Sequence, residues 1–217
     1  MSANRFTHGR RAAFVRGGSL LLGLAAVGCK KNGHTKNPHV SAATATFDAS
    51  TATQWMSLMY DAVKHASISP PVSSRAFGYA GVALYESVVP GISDHRSLAG
   101  QVNGLDSVPQ PTDKVDYRVV ANTALHDIIG STAIIPNLQA GDITAIDTLE
   151  TTLNDLYDDD DAADVFLRSV DLGDDIAVAI LAWAAADGYT TFHNCAFTPP
   201  VGTGLWVSLN ATAPVEP

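Results

Sequence analysis

The sequence predicts an all-α protein, a helical bundle of about five helices followed by an extended segment rich in Pro and Gly. Every long periodic segment between residues 50 and 188 repeats its apolar side chains at the three-to-four-residue spacing of a helix, and none alternates as a strand does. From residue 189 onward Thr, Pro and Gly replace that periodicity. The length of 217 residues, 46% of them hydrophobic, fits one globular domain plus processing segments.

Residues 1–29 have the pattern of a bacterial export signal. Arg10, Arg11 and Arg16 form a positive region before a short apolar run, and the sequence Ala-Val-Gly-Cys at 26–29 places small residues before a cysteine. This pattern resembles a lipobox, which implies that Cys29 is acylated and becomes the first residue of the mature protein. We therefore expect an exported lipoprotein held to a bacterial membrane, in the periplasm or on the cell surface. An ordinary secretory signal with an unrelated cysteine is the alternative.

A polar tether is predicted at residues 30–47, between the signal and the bundle at residues 48–188. It is rich in Lys, Asn, Ser, Thr and Ala, a composition typical of a flexible linker. His34 and His39 lie in it. We interpret them as solvated residues rather than metal ligands, because a flexible segment does not hold two side chains at ligand distance.

Charge is divided unevenly along the chain. The formal net charge is −9, but residues 1–40 contain seven of the 13 basic residues and none of the acidic ones. The remainder therefore has six basic residues against all 22 acidic residues. Such an acidic domain is a poor partner for nucleic acid. The same balance argues against a complete oxyanion site, because binding a phosphate-like ion requires several converging cationic donors.

The first two helices are predicted from their apolar stripes and their ends. The first begins at Ser50 or Thr51, and His65 lies in its last turn, where a histidine usually interacts with free carbonyls. The second begins after the cap residue Ser69 and ends at Pro90-Gly91. Its central turns contain two glycines and two alanines, at positions 78, 80, 81 and 83. We expect neighbouring helices to approach closely there, which would make this helix the centre of the bundle.

The other three helices follow a long loop, residues 92–111, which we expect to be ordered by the apolar side chains of Leu98, Val102 and Leu105. The third helix is predicted to begin after Thr112 or Asp113 and to end at Gly130. Its apolar side faces the core, and its polar stripe consists of Arg118, Asn122 and His126.

The fourth predicted helix, residues 142–157, has the clearest amphipathic pattern. Its apolar side is formed by Ile143, Ile146, Leu149, Leu153 and Leu156, and its acidic residues Asp147, Glu150 and Asp155 should face water.

The fifth predicted helix follows four consecutive aspartates at 158–161 and extends to Asp187-Gly188. A calcium loop is one interpretation of the aspartates, but an EF-hand needs alternating ligands and a central glycine, so we favour acids at a helix N-terminus. Gly173 and Ala177 predict a close approach to another helix. Asp171, Asp174 and Asp175 should face solvent, because nothing nearby would separate their pKa values as paired catalytic carboxylates require.

The segment 189–217 contains a histidine and a cysteine two residues apart, His193 and Cys195. A Cys/His nucleophilic pair also needs an orienting group and an oxyanion hole, and the sequence identifies neither, so we interpret the proximity as chance. With Cys29 acylated, Cys195 has no intrachain partner for a disulfide.

A series of short motifs follows one order along residues 50–217. They are Trp55, Tyr60-Asp61, Ser69-Pro70-Pro71, Arg75, Ala83-Leu84-Tyr85-Glu86, Pro90-Gly91, Ser97-Leu98-Ala99-Gly100-Gln101, Asn103-Gly104-Leu105, Gly173, Ala177, Ile180, Trp183-Ala184, Asp187-Gly188, Pro199-Pro200, Gly204, Trp206 and Pro214. In this order they resemble the N-terminal half of bacterial vanadium-dependent haloperoxidase-like proteins of the PAP2 phosphatase superfamily. The order of several motifs carries the resemblance, since each alone is weak.

The resemblance implies a peroxidase (an oxidoreductase) or an acid phosphatase whose active site lies elsewhere. The family holds vanadate or phosphate with a Lys…Arg-Pro motif, a Pro-Ser-Gly-His motif and a Ser-Arg…Gly-x-His motif, and all three lie downstream of the segment that this chain resembles. No Arg-Pro occurs in this sequence, and Ser74-Arg75 is followed by Tyr79 and Gly81 where Gly and His would be needed. No catalytic, cofactor-binding or metal-binding residue is therefore carried over, and vanadate is expected only for a full-length member.

Two classes of function follow. In the first, this chain is the helical scaffold portion of such an enzyme, inactive alone, and either a truncated reading frame or a second polypeptide explains the missing catalytic half; we favour truncation. In the second, it is a non-catalytic surface lipoprotein whose acidic bundle binds a partner. In either class we expect Arg75 to pair with Glu86, which lies 11 residues later on the same helix face.

Overall fold

The computed structural model describes residues 41–158, 162–193, 200 and 202–205. The helices are α1 (Ser50–Ala66), α2 (Pro70–Val88), α3 (Tyr117–Ile129), α4 (Ala140–Asp158), α5 (Ala163–Ala185) and the single turn α6 (Tyr189–Phe192), with 3₁₀ turns at Thr44–Thr46 and Val89–Gly91. No strand occurs among the described residues. The prediction of an all-α bundle with five long helices is confirmed.

The centre of the bundle is α3, not α2. Helix α3 contacts each of the other four long helices, and ten of its 13 residues are buried. Helix α2 packs on α3 and α5. The prediction of a central α2 was wrong because it relied on apolar content. The outward positions of α2 are apolar too, whereas α3 is buried on nearly every side.

The glycines explain why α2 was misplaced. A Cβ atom at Gly78 or Gly81 would meet nothing within 4 Å, so these residues face outward and permit no close approach. Gly173 of α5 behaves as predicted. A Cβ there would lie 2.7 Å from the carbonyl oxygen of Val120 and 2.7 Å from the Cβ of Thr123, both in α3. The backbones of α3 and α5 therefore approach each other closely at Gly173.

Helix ends differ from the sequence predictions in their capping groups. The side chain of Ser69 makes no capping hydrogen bond to α2, although Pro70 and Pro71 occupy its first turn. Helix α1 begins at Ser50, whose backbone N–H donates to Asp48 at 2.9 Å. Helix α3 begins later than predicted, at Tyr117. Its cap is Asp116, whose carboxylate accepts the backbone N–H of Arg118 at 2.7 Å.

Helix α4 is amphipathic, but only part of the predicted face is buried. Ile146 and Leu153 are in the core, whereas Ile143 is 42% exposed and Leu156 is 59% exposed. Tyr157 is buried in their place, because its hydroxyl reaches Thr51 of α1 at 2.6 Å. Glu150, expected to face water, is half-buried. The α4 interface thus includes a polar side that a hydrophobic pattern does not reveal.

The long loop is ordered as predicted. Leu105 is buried, Leu98 and Val102 pack against the core, and the backbone N–H of Gly100 donates to the carbonyl of Leu105 at 2.7 Å.

The start of the C-terminal segment differs from its predicted extended form, because Tyr189–Phe192 is a helical turn. Asp159, Asp160 and Asp161 lie outside the described residues. Among the described helices, none is both long enough and apolar enough to cross a bilayer.

Candidate functional site

A constellation of charged and aromatic side chains lies where α2, α5, α6 and the α3–α4 loop meet. We call it the Arg75 cluster: Arg75 and Tyr79 of α2, Trp183 of α5, Asp187, and Tyr189 of α6. The Arg75 Nε donates to the Asp187 carboxylate at 2.6 Å. Its two terminal nitrogens donate to the carbonyls of Ala133 (2.9 Å) and Ala184 (3.2 Å). One guanidinium thus joins three parts of the chain.

Two aromatic rings lie against this guanidinium. Its central carbon lies 4.9 Å from the ring centre of Tyr79 and 4.4 Å from that of Tyr189, distances at which cation–π attraction is significant. Trp183 contacts Tyr79 edge-on, and its indole N–H donates to the carbonyl of Asn103 in the long loop at 3.0 Å. Three of the five guanidinium N–H groups of Arg75 thus donate to groups of the protein, which leaves this side chain less able to bind an external oxyanion.

The titration of Tyr79 and Asp187 follows from this environment. Burial and the hydrogen bond to Asp187 raise the pKa of the Tyr79 hydroxyl to about 12. Burial alone would raise the pKa of Asp187. The Tyr189 backbone N–H and the Arg75 and Tyr79 side chains, which all donate to this carboxylate, instead hold its pKa below the ordinary value of 3.8. The cluster is therefore an ionised, hydrogen-bonded junction at neutral pH, not a pair of groups ready to exchange protons.

Glu86 does not pair with Arg75, contrary to the sequence prediction. It is fully buried, and its Oε1 accepts the backbone N–H of Leu98 at 2.6 Å, while its Oε2 has no hydrogen-bond partner among the described residues. The neighbouring Tyr85 hydroxyl donates to the carbonyl of Arg96 at 2.9 Å. Both residues therefore fix the long loop against α2. Helical spacing placed Arg75 and Glu86 on one face, but 11 residues at a rise of about 1.5 Å separate them by about 16 Å along the helix axis, which is too far for an ion pair. Each instead binds a group of another element.

A second polar network lies inside the bundle. The indole N–H of the buried Trp55 donates to the Oδ1 of the buried Asn122 at 2.8 Å. The Nδ2 of Asn122 in turn donates to the Oδ1 of Asn154 at 2.9 Å and to the carbonyl of Glu150 at 3.1 Å. Asn122 was expected on a polar stripe. It instead joins α1, α3 and α4, and no sequence signal distinguished the two roles.

Two further arginines on the described helices, Arg118 and Arg168, are bound by carboxylates. Asp116 holds Arg118 through its Nε and through a terminal nitrogen at 2.6 Å, and the rings of Phe47 and Tyr157 cover Arg118. Arg168 donates to the Asp164 carboxylate at 2.9 Å. These arginines, like Arg75, are already bound to carboxylates, so they do not fit the converging donors that an oxyanion needs.

Two histidines beside α4, His65 of α1 and His126 of α3, bind carboxylates. His65 was expected to bond free carbonyls, but its Nδ1 lies 2.7 Å from the carboxylate of Asp142, the buried acid of the first turn of α4. His126 lies among Asp127 (2.9 Å), Asp147 (3.2 Å) and Glu150 (3.7 Å). Burial would lower the pKa of His126, but these three carboxylates together raise it to about 9.

Among the described residues, no group of three or more His, Cys, Asp or Glu side chains has a metal-binding arrangement. His193 stacks on Tyr189 at 4.3 Å, and its Nδ1 lies 2.7 Å from the Tyr189 carbonyl. Cys195, the second member of the Cys/His pair considered above, lies outside the described residues, as do Cys29, His34 and His39.

A cleft of about 740 Å³ lies away from the Arg75 cluster. It is bordered by Ser41, Ala43, Ala45, the Pro90–Ser93 turn, the Gln110–Asp113 end of the long loop and Tyr117. It brings no cluster of cations together.

Comparison of the chain with family models, with curated proteins and with solved structures finds no match.

Proposed function

We propose that this chain is the N-terminal helical scaffold of an enzyme of the vanadium-dependent haloperoxidase and acid phosphatase type. In this proposal it contributes packing and walls of a substrate channel. The side chains that bind vanadate or phosphate come from a further polypeptide segment, and no step of the chemistry is assigned to the residues of this chain.

One observation carries the proposal: several of the residues on which the resemblance rests make contacts between elements. Arg75 and Asp187 join α2 to the end of α5, Glu86 binds Leu98 of the long loop, and Trp183 binds Asn103 of the same loop. Such positions suit a scaffold, because these side chains hold elements in register.

The chain alone is expected to show neither vanadate-dependent halide oxidation nor phosphomonoester hydrolysis. The reason is that Arg75, Arg118 and Arg168 are bound to carboxylates within an acidic domain, whose field repels oxyanions. Both activities should be assayed with added vanadate or a phosphomonoester, on the purified chain and on any longer product that its gene encodes. Activity confined to the longer product supports the proposal. Vanadate-dependent turnover by the chain alone contradicts it.

A second candidate, a lipoprotein whose acidic bundle binds a partner, is favoured by the outer face of α5. Leu167 is 61% exposed and Val178 is 65% exposed, and the exposed Asp171 and Asp175 lie between them. Exposed apolar side chains among acids are typical of a surface that binds an apolar and basic partner. Reading the DNA downstream of codon 217 discriminates the candidates, since only the first requires the three anion-binding motifs.

Acylation of Cys29 is a prediction common to both candidates. It rests on the arginine-rich start, the apolar run and the small residues before the cysteine. Metabolic labelling with a palmitate analogue should label the wild-type chain and leave Cys29→Ala unlabelled. Cys195→Ala is the matched control and should label like the wild type. Equal labelling of wild type and Cys29→Ala would show that the lipid is attached elsewhere.

A further inference from the structure

Helix α4 buries a smaller share of its residues than the other long helices do. Four of its 19 residues are buried, and one of those is Asp142. By comparison, six of 19 are buried in α2 and ten of 13 in α3. The contacts of α3 with α1, α2 and α5 do not involve α4 and remain available when α4 leaves, whereas α1 and α5 each lose the contacts that they make with α4.

Polar contacts also attach α4 to its neighbours. At one end of α4, Asp142 binds His65 of α1. At the other end, the Tyr157 hydroxyl and the Thr51 hydroxyl share a hydrogen bond of 2.6 Å. Between them, Asn122 of α3 binds Asn154 and the carbonyl of Glu150. Water can replace each of these partners when the helix moves away, so each hydrogen bond contributes little net free energy to the attachment of α4. The bonds instead fix the position that α4 takes when it is packed.

The intrinsic helical stability of α4 is also low. Four threonines each donate a hydroxyl to the carbonyl four residues earlier, a bond that competes with regular helix geometry: Thr144, Thr148, Thr151 and Thr152. The last turn contains Asp155 and Asp158 and no basic residue, so its charges oppose the helix dipole. Helix α4 therefore depends on its contacts with α1 and α3.

We propose that α4 is a detachable helix, which opens from α1 and α3 as a unit while α1, α2, α3 and α5 remain packed, and that the proton on His126 controls this opening. His126 of α3 faces the carboxylates of Asp147 and Glu150 on α4. It also lies beside Asp127 of its own helix, and the uncharged ring of Trp55 on α1 contacts it edge-on. When His126 loses its proton, α4 loses the cation that faces its acids.

The direction of the pH effect follows from linkage. With α4 in place the pKa of His126 is about 9. When α4 leaves, the carboxylates of Asp147 and Glu150, which raise this pKa, leave with it, and so does the part of the burial that α4 supplies, which lowers it. Asp127 stays beside His126 in both states. We take the two departing carboxylates, at 3.2 and 3.7 Å, to outweigh the departing burial, so the pKa of the open state lies below about 9. The closed state therefore binds the proton more tightly. Its advantage is complete below the open-state pKa and is lost as the pH rises through about 9.

Hydrogen exchange with mass spectrometry tests the proposal on the full chain carrying Cys29→Ala, which prevents acylation. Exchange is followed from pH 6.5 to 9.5 and corrected for the intrinsic pH dependence of amide exchange. Amides of α4 should exchange through an opening at least about tenfold more frequent than that of α3 and α5, and this opening should increase about tenfold further across the pH range.

Two variants and a matched control make the result decisive. His126→Gln should abolish the pH-dependent part of the α4 opening. Asp147→Asn removes one exposed acid beside His126 and should reduce that part, which provides a test even if His126→Gln folds poorly. Asp155→Asn makes the same change at an exposed α4 position that does not contact His126, and it should leave the pH dependence unchanged. Equal protection of α4 and α3, or an unchanged pH dependence in both test variants, overturns the proposal.

Discussion

Replacing Gly173 by alanine is expected to destabilise the protein by about 2 kcal/mol, and replacing it by leucine by about 4 kcal/mol. The added Cβ would lie 2.7 Å from the carbonyl oxygen of Val120 and 3.2 Å from the backbone nitrogen of Ala124. Backbone atoms cannot rotate away as a side chain can, so α5 must move off α3. Because every other long helix packs on α3, that displacement disturbs the whole bundle.

The measurement is urea or thermal unfolding of the full chain with Cys29→Ala, in which a loss of 2 kcal/mol lowers Tm by about 6 °C. Gly81→Ala is the matched control, since Gly81 lies within a helix but a Cβ there meets nothing within 4 Å. Alanine at 81 should stabilise the protein by about 0.5–1 kcal/mol through its better helix propensity. The same substitution thus has opposite signs at the two glycines. A neutral or stabilising Gly173→Ala would contradict the close approach of α3 and α5.

Arg75→Ala is expected to reduce the free energy of unfolding by about 3 kcal/mol. It removes the ion pair with Asp187, two hydrogen bonds to carbonyls and the filling between the rings of Tyr79 and Tyr189. Arg75→Lys should recover only part of the loss, because an ammonium group lacks the planar fork that reaches three acceptors at once. Because Arg75 joins α2, the α3–α4 loop and the end of α5, its removal should loosen the contacts between these three parts of the chain.

The control for this prediction is Arg96→Ala, an exposed arginine of the long loop, which should change stability by less than about 0.5 kcal/mol. Acid provides a second check. Because Asp187 has a lowered pKa in the folded state, the pair stabilises the fold above the ordinary value of 3.8 and its contribution is lost as the pH falls. The difference between wild type and Arg75→Ala should therefore shrink in acid. A loss of stability as small as that of Arg96→Ala, or one that does not change with pH, would contradict the stabilising role of the Arg75–Asp187 pair.

Helical periodicity by itself determined the fold class and the approximate extent of every long helix. A repeat of apolar side chains at helical spacing reports local conformation directly, and it predicted α5 and its close approach at Gly173. The same patterns predicted an ordered long loop, since Leu98, Val102 and Leu105 had to find apolar contacts. These are properties of short stretches of chain and need no knowledge of their neighbours.

Only the tertiary structure decided which helix is central and which groups pair. In sequence, the exposed glycines of α2 cannot be told from glycines at a close helix contact, and the buried Asn122 of α3 cannot be told from an exposed asparagine. Burial depends on which element packs against the residue. Arg75 binds Asp187, 112 residues away, and not Glu86 of its own helix, because Glu86 lies about 16 Å away along the helix axis, whereas Asp187 and the carbonyls of Ala133 and Ala184 converge on one guanidinium. A side chain bonds to the nearest complementary group in space, and distance along the chain does not determine which group that is.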